Sequence, residues 1–222
     1  MPLVIGTDGL TYADGTTQVD GFDSASDRGK LLSINSWDAP GTYTWTRPAN
    51  CKKILVKVVG GGGGAAGFCE SGGAGGYAER VIDVTSISTA TVTIGAGGSG
   101  VGYYAAAPDG GTSSFGVHVS ASGGRGANTQ FAHTGGRGGV GSNGSINLNG
   151  GDGTGHTNSV GHYPGGTGGG SYFGGSATVN RDTTSSRTDR GAPGSGGPGG
   201  RTNDGHSGNT GDPGIIVVYN FQ

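Results

Sequence analysis

Apolar and polar positions along this chain alternate in short runs with the two-residue period of half-buried strands, and helical periodicity is almost absent. From Trp37 onward the strand signal is strong. Thr42-Tyr-Thr-Trp45 alternates, Pro48 and Asn50 interrupt, and Lys53–Val59 resumes with Ile54, Val56 and Val58 on one face opposite Leu55, Lys57 and Val59. Further strands are predicted at Glu79–Val84, Thr91–Ile94 and Phe115–Val119. The last run, Ile215–Tyr219, is nearly all apolar, which predicts a strand at the centre of a sheet, and Asp212-Pro-Gly214 supplies a sharp turn into it.

Residues 1–35 differ in character. Asp-Gly recurs every six residues, at Asp8, Asp14 and Asp20, and favours tight turns. The intervening Leu10–Tyr12 and Thr16–Val19 are β-prone but too short to stand alone in water, so they imply pairing with a partner or a neighbouring chain. The segment reads as an attachment element, and residues 23–32 as a turn of helix or a linker.

Between Gly60 and Gly214 lies a tract holding most of the chain's 55 glycines, with Gly-Gly-x-Gly-Gly at Gly72–Gly76, Gly135–Gly139, Gly165–Gly169 and Gly196–Gly200. Such a glycine content without a strict period often marks low complexity. Here the net charge is only −2 and 31% of residues are hydrophobic, gathered into strand-like runs, which favours an ordered domain over disorder. Collagen needs glycine at every third position, and this tract breaks phase. The remaining ordered option is the polyglycine-II rod, an extended threefold helix whose amides and carbonyls bond sideways to neighbouring rods. The period then leaves x on one edge, so Ala74, Arg137, Thr167 and Pro198 are expected to point outward.

The fold expected is all-β: a β-sandwich or β-prism-like base over 37–119 and 215–222, with glycine-rich rods and inserts over 120–214 forming the distal part. Residues 1–35 and 36–222 divide the chain into attachment segment and tip domain.

Balanced charge, 13 basic against 15 acidic residues, argues against a nucleic-acid partner. No apolar run nears the roughly 20 residues of a membrane helix, and Met1–Val4 lacks the start of a signal peptide, so a soluble protein made in the cytoplasm is expected. Cys51 and Cys69 read as free thiols, and neither has a second Cys or a His at metal-ligand spacing. Motifs of nucleophilic, nucleotide-dependent or zinc-dependent enzymes are missing, so neither a catalytic residue nor a cofactor is expected. A calcium β-roll has one loose match, Gly138–Ile146, without tandem copies.

The string Trp45–Gly64, followed by Gly72–Glu79, Val92–Gly98 and Gly110–Phe115, resembles the glycine-rich distal domain of bacteriophage tail fibres. Tyr12-Ala-Asp-Gly-Thr-Thr-Gln18 resembles an element common upstream in such fibres. The resemblance implies a β base carrying polyglycine-II rods at a fibre tip, probing the bacterial surface with loops between rods. It also implies a homotrimer in the virion, although some tip adhesins of this kind sit as single copies.

On that reading, functional side chains belong in the inserts, because rigid elements position loops. The candidate receptor contacts are Tyr103, Tyr104, Phe131, His133, His162, Tyr163, Tyr172, Phe173, Arg181, Arg187 and Arg190. Aromatic rings suit sugar faces and protein epitopes alike, and Arg adds bidentate bonds to carboxylate or phosphate. The expected partner is a host-surface glycan such as lipopolysaccharide, or an outer-membrane protein, with other tail or baseplate proteins docking on residues 1–35. Two alternatives stay open: Tyr163, Tyr172 and Phe173 cover the bundle's flanks, or the whole chain is a structural virion protein.

Overall fold

The computed structural model describes residues 4–6, 9–11, 17–18, 29–67, 70–102, 105–128, 134–155, 165–175, 191–200 and 207–222. Among them are strands and no helix. The strands are β1 (Val4–Gly6), β2 (Gly9–Thr11), β3 (Thr17–Gln18), β4 (Leu31–Trp37), β5 (Gly41–Thr46), β6 (Lys53–Val59) and β7 (Tyr77–Asp83). They continue with β8 (Thr89–Ile94), β9 (Ser113–Phe115), β10 (Val119–Ala121), β11 (Gly141–Ser142), β12 (Ile146–Leu148) and β13 (Ile215–Phe221).

The first three strands pair with one another: Gly6 lies opposite Gly9 and Leu10 opposite Gln18. The remainder form two five-stranded antiparallel sheets, ordered β11-β10-β9-β8-β5 and β12-β7-β6-β13-β4. The all-β expectation therefore holds, with two antiparallel sheets. Alternation explains the layering: Ile54, Val56 and Val58 of β6, Ile216 and Val218 of β13, and Ala78 and Ile82 of β7 share one face. They bury against Trp45, Val92, Ile94, Phe115, Val119 and Ala121 of the other sheet. Trp45 meets Phe115 edge-on at 5.6 Å, and its indole Nε1–H donates to the buried Asn220 Oδ1 at 3.1 Å. Asn220 Nδ2 in turn donates to Ser33 Oγ and Asn35 Oδ1 on β4, so every polar atom of that side chain is matched.

Three strand expectations need correction. Leu31–Trp37 is a full strand, although residues 23–32 read as a turn of helix or a linker and the strand signal became strong only from Trp37; its inward Ser33 and Asn35 serve Asn220, which hid the alternation. Phe115–Val119 is not one strand but the turn of the β9–β10 hairpin, with Gly116 at φ +52°. Gly141–Leu148, where the sequence had suggested only a loose β-roll match, holds two short strands joined by a turn with Asn143 at φ 61°, and they enter different sheets: β11 pairs with β10 and β12 with β7.

The described part of the glycine tract is ordered. Ten extended segments among the described residues, at 60–66, 70–76, 95–101, 105–111, 122–128, 134–140, 149–155, 165–170, 194–200 and 207–214, exchange backbone hydrogen bonds sideways. Along 60–66 the donors rotate among three neighbours. Gly60, Gly63 and Ala66 donate to Gly76, Gly73 and Glu70; Gly61 and Gly64 to Gly111 and Pro108; Gly62 and Ala65 to Asp212 and Asn209. Its carbonyls accept from three other segments, through Gly98 and Val101, Gly124 and Ala127, and Gly197 and Gly200. Segment 60–66 thus has six neighbours, and 70–76 likewise has six: 60–66, 122–128, 134–140, 149–155, 165–170 and 194–200. A three-residue rotation of donors is what a threefold extended rod produces. Close approach is the reason for glycine: a Cβ built on Gly62 would land on the Ser195 carbonyl oxygen, far inside 3.0 Å.

Of the x positions expected to face outward, Arg137 and Thr167 are exposed, whereas Ala74 and Pro198 are buried. Ala74 belongs to a segment ringed by six others, so none of its edges faces solvent.

Candidate functional site

The strands of the sandwich feed the rods in pairs. β6 leads into 60–66 and 70–76 returns to β7; β8 and β9 are joined through 95–101 and 105–111, and β10 and β11 through 122–128 and 134–140. β12 opens into 149–155, and 207–214 returns the chain to β13. Entry to β13 is anchored by the buried Asp212, whose carboxylate accepts from Ser195 Oγ at 2.6 Å and from the Gly191 amide at 2.9 Å.

Away from the sandwich, the rod ends are tied to one another. Ala66 N–H donates to Glu70 at 2.9 Å, Gly208 to Val101 at 2.8 Å, Ala107 to Ala127 at 3.0 Å, Thr154 to Thr167 at 3.0 Å and Gly200 to Ala66 at 3.1 Å. Ala66, Ala107 and Ala127 bury together with Val101 packed against them, a small apolar plug where glycine no longer suffices. The described ends of five connections therefore converge on one end of the bundle. Tyr103 and Tyr104 belong to one of these connections, Phe131 and His133 to the next, and His162 and Tyr163 to a third; all six lie outside the described residues.

At the sandwich end, segment 165–170 runs into a tight turn in which Ser171 and Gly174 exchange both backbone hydrogen bonds, at 2.9 and 3.2 Å. The turn presents Tyr172 and Phe173, which are 47% and 42% exposed. Tyr172 stacks flat on the buried Tyr77 of β7, centroids 3.6 Å apart and planes 9° off parallel. Phe173 stands edge-on to both rings, at 6.4 Å from Tyr77 and 5.3 Å from Tyr172. The Tyr77 hydroxyl donates to the Glu79 carboxylate, which lies 3.8 Å from Lys57 Nζ; that ammonium sits 5.8 Å from the centre of the Tyr219 ring. Burial, reinforced by the hydrogen bond to Glu79, drives the Tyr77 phenol well above its ordinary range, so it stays protonated at any physiological pH.

Of the predicted contacts, Tyr172 and Phe173 lie beside β7, whereas the other aromatics and the histidines lie outside the described residues. Arg181, Arg187 and Arg190 lie outside the described residues, between the Ser171–Gly174 turn and segment 194–200. Tyr77 was missed by sequence reasoning. Its position immediately after Gly72–Gly76, at the mouth of a strand, was the available signal. Chemically, the Tyr77–Tyr172–Phe173 cluster offers packing surface and no nucleophile. Among the described residues no group of three or more His, Cys, Asp or Glu gathers where it could hold a metal ion. The free thiol of Cys51 is buried at a β5–β6 hollow lined by Arg47, Pro48, Asn50, Lys52 and Thr85, and burial pushes its pKa up, away from reactivity.

A search of curated proteins finds no match to this chain. A family model described as a glycine-rich domain matches residues 38–220, from just past β4 to the penultimate residue of β13. That span takes in both five-stranded sheets apart from β4, and all ten described rods, and the chain belongs to this glycine-rich domain family.

Proposed function

We propose that this chain is a bacteriophage tail-fibre or tip adhesin, in which a polyglycine-II bundle carries receptor-reading loops away from a β-sandwich base. The receptor is a host-surface glycan such as lipopolysaccharide, or an outer-membrane protein. The observation that carries the reading is the convergence of five rod-to-rod connections on one end of the bundle. Mutually bonded backbones make a stiff support, and the connections at its end hold Tyr103, Tyr104, Phe131, His133, His162 and Tyr163, aromatic and hydrogen-bonding side chains suited to sugar faces. On this reading Tyr172 and Phe173 brace the base instead of touching the receptor, since both rings pack on Tyr77. Arg181, Arg187 and Arg190 remain contact candidates on a separate connection. Residues 1–35 dock onto other tail or baseplate proteins, and copies assemble as a homotrimer in the virion.

The test is binding of fluorescently labelled full chain to intact cells across a panel of Gram-negative strains. The expected result is saturable binding to a subset of strains, abolished by Tyr163→Ala or Tyr103→Ala and unaffected by Phe173→Ala. Absence of saturable binding to every strain would favour a structural virion component and overturn the adhesin reading.

A further inference from the structure

The two outward faces of the sandwich are chemically unlike. On the sheet β11-β10-β9-β8-β5 the outward row reads Ser142, Ser120, Ser114, Thr93 and Thr42, with Thr91 opposite Thr44 and Thr89 opposite Thr46. This is an all-hydroxyl surface, as expected where a sheet meets water. The outward face of β12-β7-β6-β13-β4 is apolar by contrast. One complete row across four strands is Ile34, Tyr219, Leu55 and Val81. Flanking rows add Val217 and Ile146, and Ile215 and Leu148. Val81 is 60% exposed and Ile34 52%. With strands about 4.8 Å apart and seven-residue strands at its centre, this face spans roughly 500 Å² in projection, at the scale of one side of a specific protein interface. It also matches the largest apolar patches, about 300–600 Å², that monomers expose, patches that are often functional.

The charges on this face identify the occupant. Lys53 and Lys57 form a column on β6, and Asp83 and Glu79 form the matching column on β7, with Lys53 level with Asp83 and Lys57 level with Glu79. The apolar Leu55–Val81 level lies between them. Rotation about an axis parallel to the strands leaves each residue at its own height. With the axis passing between the β6 and β7 columns, a second copy related by such a rotation meets Lys with Asp or Glu at two levels and apolar side chains with apolar side chains at the level between, whereas an axis through either column sets like charges together. A copy of the same chain therefore supplies the complementary pattern at one axis position, and a foreign partner has no reason to.

We propose that the outward face of the β12-β7-β6-β13-β4 sheet is the surface through which copies of this chain associate, about an axis parallel to its strands. The inference deepens the assembly part of the reading above and is independent of receptor binding, because its test reads mass and not adsorption. The measurement is sedimentation velocity of the full chain over the micromolar range. The unsubstituted chain is expected to be oligomeric, Val81→Lys monomeric with an unchanged far-ultraviolet spectrum, and Thr91→Lys on the hydroxyl face oligomeric like the parent. A second measurement keeps the proposal testable if Val81→Lys does not fold. In the unsubstituted chain, acylation of Lys53 and Lys57 is expected to rise several-fold on dilution while that of Lys52 stays constant. A chain that sediments as a monomer at all concentrations, as it would if residues 1–28 covered the face, overturns the proposal. So does an oligomer that Val81→Lys leaves intact, since another surface then holds it together.

Discussion

Replacing Gly62 by alanine tests what the glycines are for. The new methyl would be aimed at the Ser195 carbonyl oxygen on the neighbouring rod, and ordinary contact begins only at 3.4 Å, so rods 60–66 and 194–200 must part. A separation on the order of 1 Å takes a backbone hydrogen bond out of useful range. Two such bonds join these rods directly, from Gly197 N to the Gly63 carbonyl at 2.9 Å and from Gly200 N to the Ala66 carbonyl at 3.1 Å. Both lie among buried residues, where water cannot replace them. At about 1–3 kcal/mol for each of the four buried groups left unmatched, Gly62→Ala is expected to destabilise the protein by roughly 4–12 kcal/mol. For a chain of this size that corresponds to a fall of about 10–45 °C in Tm. The assay is thermal unfolding followed by fluorescence of the buried Trp45. The matched control is Gly175→Ala, where an added Cβ meets nothing within 4 Å; alanine there is expected to change stability by no more than about 0.5 kcal/mol. Equal tolerance of the two substitutions would refute the reasoning, because a loosely packed or disordered tract cannot tell the two sites apart.

Three further outcomes are expected. At the rim of the bundle, Gly138→Val should lower Tm sharply, since its Cβ would collide with the Gly150 carbonyl, while Arg137→Ala, an exposed position, leaves the melt unchanged. Asn220→Leu removes the acceptor of the Trp45 indole and the donor to Ser33 and Asn35, and is expected to cost roughly 2–4 kcal/mol in a denaturant titration. Tyr77 gives a pH dependence of definite sign. Its folded pKa is raised, so above about pH 10 the unfolded chain loses a proton that the folded chain retains, and stability falls as pH rises. Stability of the parent should therefore decline more steeply between pH 9.5 and 11 than that of Tyr77→Phe, by about 0.8 kcal/mol per pH unit on average.

Much of the sandwich could be read in the sequence because its central strands alternate cleanly. Lys53–Val59 is strand over the range expected, and the apolar run from Ile215 does lie inside a sheet, between β6 and β4. What escaped was governed by pairing at a distance. Ser33 and Asn35 look like linker residues until Asn220, nearly two hundred positions later, arrives to bond them. The Phe115–Val119 run alternates like a strand, yet Gly116 at positive φ turns it into a hairpin. In the glycine tract the Gly-Gly-x-Gly-Gly pattern announces sideways bonding, but which rods lie inside is a property of the bundle's cross-section. Hence Ala74 is enclosed while Arg137, in the same pattern, is exposed. The aromatic cluster shows the same limit: Tyr172 and Phe173 stood out as surface aromatics, and their partner Tyr77 lies 95 positions earlier in the chain.

The central claim is that a core of backbone hydrogen bonds, made possible by glycine, holds the long tract in one arrangement. Amide hydrogen exchange of the full chain tests it most directly. Gly61–Ala65 and Gly72–Gly76 sit in the two rods with six neighbours each, so their amides are expected to exchange as slowly as those of Val56 and Val218 in the sandwich core, through global unfolding. Exchange of those glycine amides within seconds, while Val56 and Val218 remain protected, would contradict the account.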